Sequence, residues 1–152
     1  MQGCASAFKT GAKSEKSINL KELFPAQISG KQRQIITLKE IKNEQDYLVI
    51  ISFGKWLELD CNHYFLGMAE IKEHSLNGYG YAYYEFNAQN GILAGTKMVC
   101  LGQKKQNKFI KYSSTLTLPY NHKLPLIFYA PKNVRVEYQI YKRINSGFGY
   151  FE

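Results

Sequence analysis

No apolar run in this chain approaches the roughly 20 residues that a membrane-spanning helix requires, so no membrane span is expected. Catalytic signatures are also missing. There is no G-x-S-x-G elbow, no phosphate loop and no H-E-x-x-H pair. The three cysteines come without C-x-x-C or H-x-x-x-H spacing, which makes zinc a poor reading and leaves no metal or cofactor to expect. One nucleophile-like pair remains, Cys61 with His63, two apart and so on one side of a strand. A Cys61 engaged in a disulfide would end that chemistry, and the chain does not read as an enzyme. His74 and His122 stand in turn-like stretches, and Gly78-Tyr79-Gly80 lacks the following helix a phosphate site needs.

What is present describes one globular domain. The 152 residues suffice for a sizeable core, and 45% hydrophobic with 21% charged residues is ordinary for a folded chain. Twelve Tyr and nine Phe against one Trp lean toward pleated, half-buried surfaces. The net charge of +8 suggests acidic partners or nucleic acid. Its one dense run, Lys104, Lys105, Lys108 and Lys111, is interleaved with Gln103, Gln106 and Asn107 and reads as a solvated turn. A basic, Tyr-rich nucleic-acid-binding domain is therefore only an alternative, and no nucleic-acid partner is expected.

Cys61 and Cys100 lie in strand-like sequence and Cys4 in a tail. The simplest division is a 61–100 disulfide plus an unpaired Cys4, which implies an oxidising compartment. Closing a loop of that length stabilises a fold by about 4 kcal/mol in the chain-entropy model. Met1-Gln2-Gly3-Cys4 carries no apolar signal region, yet Gly3-Cys4 resembles the end of a bacterial lipoprotein signal. A lipid anchor at Cys4 and an incidental cysteine both stay open.

Residues 1–17, rich in Gly, Ser, Ala and Lys, read as a flexible tail before a domain over 18–152. Asn19 to Phe24 suits a helical turn stopped by Pro25. Gln34–Leu38 is a short strand and Lys39–Asp46 a polar turn. Tyr47–Phe53 is too apolar for alternation and suits a central strand covered on both faces. Gly54-Lys55 then turns the chain into the alternating Trp56–Cys61. Further strands are expected over Phe65–Ile71, over Tyr79–Phe86 after the Asn77-Gly78 turn, and over Phe109–Leu118. Pro119–Lys123 is a loop. Pro125 confines Leu124–Tyr129 to an edge or an entry position. Val134–Lys142 has the clearest period of two, with Val134, Val136, Tyr138 and Ile140 on one face. Such spacing indicates an all-β, antiparallel sandwich or barrel.

Gly95-Thr96-Lys97-Met98-Val99-Cys100 is the stretch with most chemistry in it. A serine protease needs extended backbone and one side chain for its specificity pocket. Lys97 suits a trypsin-like pocket, whose floor carries a carboxylate. Taken alone this is permissive, since a strand lysine is usually just solvated. The wording of the sequence goes further. Leu57-Glu58-Leu59-Asp60-Cys61-Asn62, Leu76-Asn77-Gly78-Tyr79-Gly80-Tyr81-Ala82-Tyr83-Tyr84, Thr96-Lys97-Met98-Val99-Cys100, Tyr120-Asn121-His122-Lys123-Leu124-Pro125 and Pro131-Lys132-Asn133-Val134 resemble the ecotin family in order and spacing. The resemblance runs from about Leu23 to Ile144.

It implies an ecotin-type fold and a periplasmic, substrate-like inhibitor of chymotrypsin-fold serine proteases. It also implies a homodimer that exchanges the C-terminal strand Val134–Ile144; pairing within one subunit is the plainer alternative. By position, Lys97 enters the specificity pocket and Lys97–Met98 is the reactive bond, in a primary loop with Gly95, Thr96 and Val99. The family commonly has Met where Lys97 stands, so trypsin-like targets are favoured. The supporting loop is Asn62, His63, Tyr64 and Phe65, where Phe65 replaces an Arg that braces the primary loop. A secondary protease-binding site matches Tyr79, Gly80, Tyr81, Tyr120, Asn121, Lys123 and Leu124. There Tyr79 replaces a usual Trp and Pro119 a usual Arg. The same fold could also serve as a non-inhibitory binding module, because fold does not fix function.

Overall fold

A computed structural model describes residues 23–76, 80–88 and 93–152. The expected tail over 1–17, Cys4, and the turn at Asn77-Gly78 lie outside them, as does most of the Asn19–Phe24 turn. The described chain is built of strands: β1 (Gln27–Ile28), β2 (Lys31–Ile36), β3 (Tyr47–Leu59), β4 (Tyr64–Leu66), β5 (Ala69–Leu76), β6 (Tyr81–Ala88), β7 (Leu93–Gly95), β8 (Gln106–Pro119), β9 (Leu126–Ala130) and β10 (Arg135–Lys142). A three-residue 3-10 turn, Glu44–Asp46, leads into β3. One sheet runs β1-β2-β9-β6-β5 and the other β10-β3-β8-β4-β7. Pairing is antiparallel apart from β6 with β9 and β4 with β8, which run parallel.

The sheets face each other across a core of alternating residues. Val49, Ile51 and Phe53 of β3 meet Phe86 of β6 and Phe128 of β9, with the Phe53 and Phe86 rings stacked at 4.7 Å. Burial of such side chains contributes about 1.5–3 kcal/mol each, which makes this layer the main source of stability. No helix among the described residues is long and apolar enough to cross a membrane.

Two strands bear on the sequence reading: β3 departs from it, and on β9 the entry position is the one that holds. On β3, Val49, Ile51 and Phe53 point inward, whereas on the outer side only Ser52 is buried and Leu48 is 48% exposed, so cover on the second face is incomplete. The strand that is covered on both faces is β9. Phe128 and Ala130 join the main core, while Ile127 and Tyr129 pack with Phe24 behind the sheet. Pro125 therefore marks the entry to an interior strand, and the missing N–H costs no ladder bond because β9 begins one residue later.

Gly54-Lys55 is not a turn. β3 continues through it with a register shift between Ser52 and Gly54 against β8. A Cβ on Gly54 would sit 2.5 Å from the Ile110 carbonyl oxygen and 2.8 Å from the Phe109 ring, so glycine is there for close backbone approach. Phe65–Ile71 is likewise two strands, β4 and β5, belonging to different sheets.

Within the single chain, β10 lies antiparallel along β3, from Arg135 opposite Gly54 to Lys142 opposite Tyr47. Its burial fades along its length. Val134 is 1% exposed, while Tyr138, Ile140 and Tyr141 are 45–55% exposed and the following residues Ile144, Phe148, Tyr150 and Phe151 are open to solvent.

Candidate functional site

β7 ends at Gly95 beside β4, where Tyr64 pairs with Gly95. From there Thr96 to Leu101 leaves the sheet. Cys100 is bonded to Cys61, with Cα atoms 5.8 Å apart, so the expected 61–100 disulfide is present and the Cys61–His63 nucleophile pair is closed off. The loop is thus stitched at its base by a covalent bond and at its entrance by β-pairing.

Between these two anchors, the buried side chain of Asn62 holds the loop. Its Oδ1 accepts from the Met98 N–H at 2.5 Å and from the Thr96 hydroxyl at 2.9 Å. Its Nδ2 donates to the Met98 carbonyl oxygen at 3.1 Å. His63 adds a reciprocal pair, its carbonyl accepting from the Thr96 N–H at 2.9 Å and its N–H donating to the Thr96 Oγ1 at 3.0 Å. The residues on both sides of Lys97 are therefore fixed by one short segment. Lys97 itself is exposed, and among the described residues its backbone makes no hydrogen bond. Met98 is 55% and Val99 83% exposed.

A second tier orients Asn62. The Asp60 Oδ1 accepts from the Asn62 N–H and Nδ2, each at 3.0 Å, and from the Tyr64 hydroxyl at 2.7 Å. These donors hold the Asp60 carboxyl below its usual 3.8, the Tyr64 bond first and the Asn62 bonds next, with Lys108 a smaller influence. The same bond pushes the Tyr64 phenol up from 10.0. The Lys108 ammonium donates to the Asp60 carbonyl at 2.5 Å and the Asn62 carbonyl at 3.3 Å, tying the segment to the start of β8. Sequence reading named the supporting loop but not Asp60 or Lys108. The D-x-N spacing of Asp60 and Asn62, an Asx-type turn signal, was a legible cue. Lys108 had none, being one of a run of similar lysines.

Phe65 stands where a bracing Arg was expected. It is 59% exposed on β4, its backbone paired with Ala94, and the hydrogen bonds that brace the loop come from Asn62 and His63 instead.

The residues assigned to a second contact surface are dispersed in character. Tyr79 lies outside the described residues. Gly80 has φ +68, a left-handed conformation that suits glycine. The Tyr81 ring packs edge-on to Phe24 at 6.5 Å. Tyr120 is 7% exposed, its ring 5.9 Å from Tyr47 and its hydroxyl donating to the Lys39 carbonyl, so it belongs to the core. What the 120–124 loop offers to solvent is Lys123 and Leu124, on a turn in which Asn121 Oδ1 accepts from the Lys123 N–H at 3.0 Å.

The family model described as Ecotin matches residues 20–143. The chain is 37% identical over 139 residues to the ecotin of Pseudomonas fluorescens, covering 91% of this chain and 83% of that one. It is 35% identical over 121 residues to the ecotin of Serratia proteamaculans, covering 78% and 70%. A Methylobacillus flagellatus protein described as ecotin-like is 31% identical over 147 residues, covering 96% and 85%.

Proposed function

The chain belongs to the ecotin family, and from that membership and the loop geometry we propose that it is a reversible, substrate-like inhibitor of chymotrypsin-fold serine proteases. The observation that carries this reading is the clamp on both flanks of an exposed Lys97: Thr96 and Met98 are held by Asn62 while Lys97 stays free to dock.

Lys97 enters the specificity pocket, where its ammonium meets the carboxylate of a trypsin-like floor. The protease's serine oxygen attacks the Lys97 carbonyl carbon, forming an ester as the Lys97–Met98 bond breaks and Met98 becomes a free amine. That amine does not diffuse away. Asn62 grips Met98, and Cys100 is covalently bonded to Cys61 two residues further on. Held beside the ester, it attacks back and re-forms the peptide bond, expelling the serine. A loop already ordered in the free inhibitor also loses little conformational freedom on binding, which raises affinity.

The protein acts as a homodimer that exchanges its C-terminal strand. Exchange keeps the β10–β3 pairing with β10 supplied by the second copy, whose surface also covers the open side chains of the arm, and such swaps are a low-cost route to dimers. One subunit presents the Lys97 loop and its partner presents the Tyr79–Tyr81 and Tyr120–Leu124 loops to the same protease. The compartment is the periplasm, consistent with a structural disulfide.

Titrating trypsin, chymotrypsin and elastase with the purified protein tests this. Stoichiometric inhibition, strongest for trypsin, is expected. No inhibition of any of the three would refute the proposal.

A further inference from the structure

We infer that the surface offered to the target is electropositive well beyond the pocket lysine, and that the partner is a protease carrying carboxylates on the leaving-group side of its cleft. This rests on the inhibitory reading of Lys97–Met98 and adds the chemistry of the partner.

The charge is concentrated in one span. Residues 86–136 hold eight Lys or Arg and no Asp or Glu, so they account for the whole formal charge of +8, and the rest of the chain is neutral. That span contains the reactive loop and the 120–124 loop. Within it, some cations are committed internally. Lys108 donates to two carbonyl oxygens beside the disulfide, and Lys111 pairs with Glu137 at 2.8 Å. Lys104 and Lys105 are different. Both are exposed, and neither takes part in an ion pair or side-chain hydrogen bond among the described residues.

Their placement is set by two anchors. Cys100 is bonded to Cys61, and Gln106 pairs with Leu59. Residues 101–105 therefore form a short excursion whose ends return to neighbouring residues of one segment, turning at Gly102 with φ +67. Lys105 is one residue, about 3.8 Å along the chain, from the Gln106 anchor. Val99 and Leu101, 83% and 85% exposed, lead from the reactive bond to this turn. In a substrate-like complex the residues after the scissile bond run along the leaving-group side, so Lys104 and Lys105 face that rim of the protease.

Exposed charges act over about one Debye length, roughly 8–10 Å in physiological salt. Two unpaired cations there accelerate encounter with an acidic surface and add little to the docked complex, which is the signature of electrostatic steering. Nucleic acid is the less suitable partner, because the committed Lys108 and Lys111 leave only part of the run free to meet phosphates.

The test measures association and dissociation rates of the parent and of the Lys104→Glu/Lys105→Glu double variant. The probes are an anionic and a cationic trypsin of equal pocket specificity, from low salt to about 1 M, where screening shortens to about 3 Å. With the anionic trypsin, the double variant should associate at least about tenfold more slowly at low salt. That gap should close at high salt, with dissociation changed less than about threefold. Equal losses on both trypsins, or a loss confined to dissociation, would overturn the rim assignment. A parent that inhibits both trypsins, with rates indifferent to charge reversal, would overturn the rim alone. A parent that inhibits neither would overturn the reading of Lys97 beneath it. Salt-dependent binding of a single-stranded oligonucleotide, lost in the double variant while protease rates stay unchanged, would reassign the two lysines to nucleic acid.

Discussion

A primary amide offers two donor hydrogens and an acceptor oxygen with two lone pairs, and Asn62 uses both ends on the loop that carries Lys97. Neither Ala nor Asp can repeat this: Ala has no polar group, and Asp has no donor and would face the Asp60 carboxylate. Leaving the Met98 N–H and carbonyl unpartnered costs about 1–3 kcal/mol for each group that stays dry. Asn62→Ala and Asn62→Asp should both raise the inhibition constant for trypsin by roughly 30- to 1,000-fold, a loss of about 2–4 kcal/mol. Both should also speed cleavage at Lys97–Met98, which mass spectrometry of the complex would follow. Unaltered inhibition would remove Asn62 from the mechanism. Asp60 sets the pH range of the same clamp. Its folded carboxyl titrates below 3.8, so the ionised form favours the ordered loop above that value, and the advantage is lost as pH falls through the lower folded value. Tyr64, pushed above 10.0, contributes in the opposite sense, its share being lost only as pH rises through its folded value. The side-chain amide resonances of Asn62 should hold steady across neutral pH and shift only below the ordinary carboxylate range. A midpoint near neutrality would contradict the Asp60 network.

At the scale of elements, two glycines separate folding from function. A Cβ on Gly54 meets the Ile110 carbonyl at 2.5 Å inside the β3–β8 pairing, where backbone has no room to yield. Gly54→Ala should cost about 1–3 kcal/mol, read as a fall in thermal midpoint. A Cβ on Gly95 meets the Tyr64 ring at 2.6 Å and the His63 carbonyl at 2.9 Å, at the rim of the short β4–β7 pair. Gly95→Ala should displace the Thr96 contacts and weaken inhibition, with a smaller change in thermal midpoint. Equal effects on both readouts in both variants would argue against this division. These positions also show what the sequence made legible. The alternating Trp56–Cys61 and Val134–Lys142 stretches were readable because one face of each is apolar. Gly54 was misread as a turn because a glycine needed for close approach looks like a glycine needed for bending. The two-sided cover expected of β3 is found on β9, because a run of apolar residues does not say which of its faces finds cover. For β9 that cover comes from Phe24, a hundred residues away in the chain. Resemblance singled out the 95–100 loop, but its Asn62 clamp was not legible, since it depends on side-chain geometry across a 36-residue separation.

For the whole molecule, the proposed mechanism divides inhibition between the Lys97 loop and a partner subunit. The C-terminal arm leaves Tyr138, Ile140, Tyr141, Ile144, Phe148, Tyr150 and Phe151 at least 45% exposed on the single chain. A run of apolar side chains this open is expected to find cover in a partner, which supports the exchanged dimer. Ile140→Lys places a charge in that arm without disturbing the main core, because Ile140 is 45% exposed already. It should shift the protein from dimer to monomer in sedimentation at micromolar concentration, with the thermal midpoint little changed at low concentration. In the proposed dimer, two linked contacts would raise each other's effective concentration, so the loss of one would be partly masked. Lys97→Ala in the dimer should therefore weaken trypsin inhibition by less than the roughly 2–4 kcal/mol of an isolated hot spot. In the Ile140→Lys background the same substitution should cost the full amount, giving a double-mutant coupling of about 1 kcal/mol or more. Additive losses would mean that the Lys97 loop binds alone, and a dimer that persists in Ile140→Lys would place the interface elsewhere.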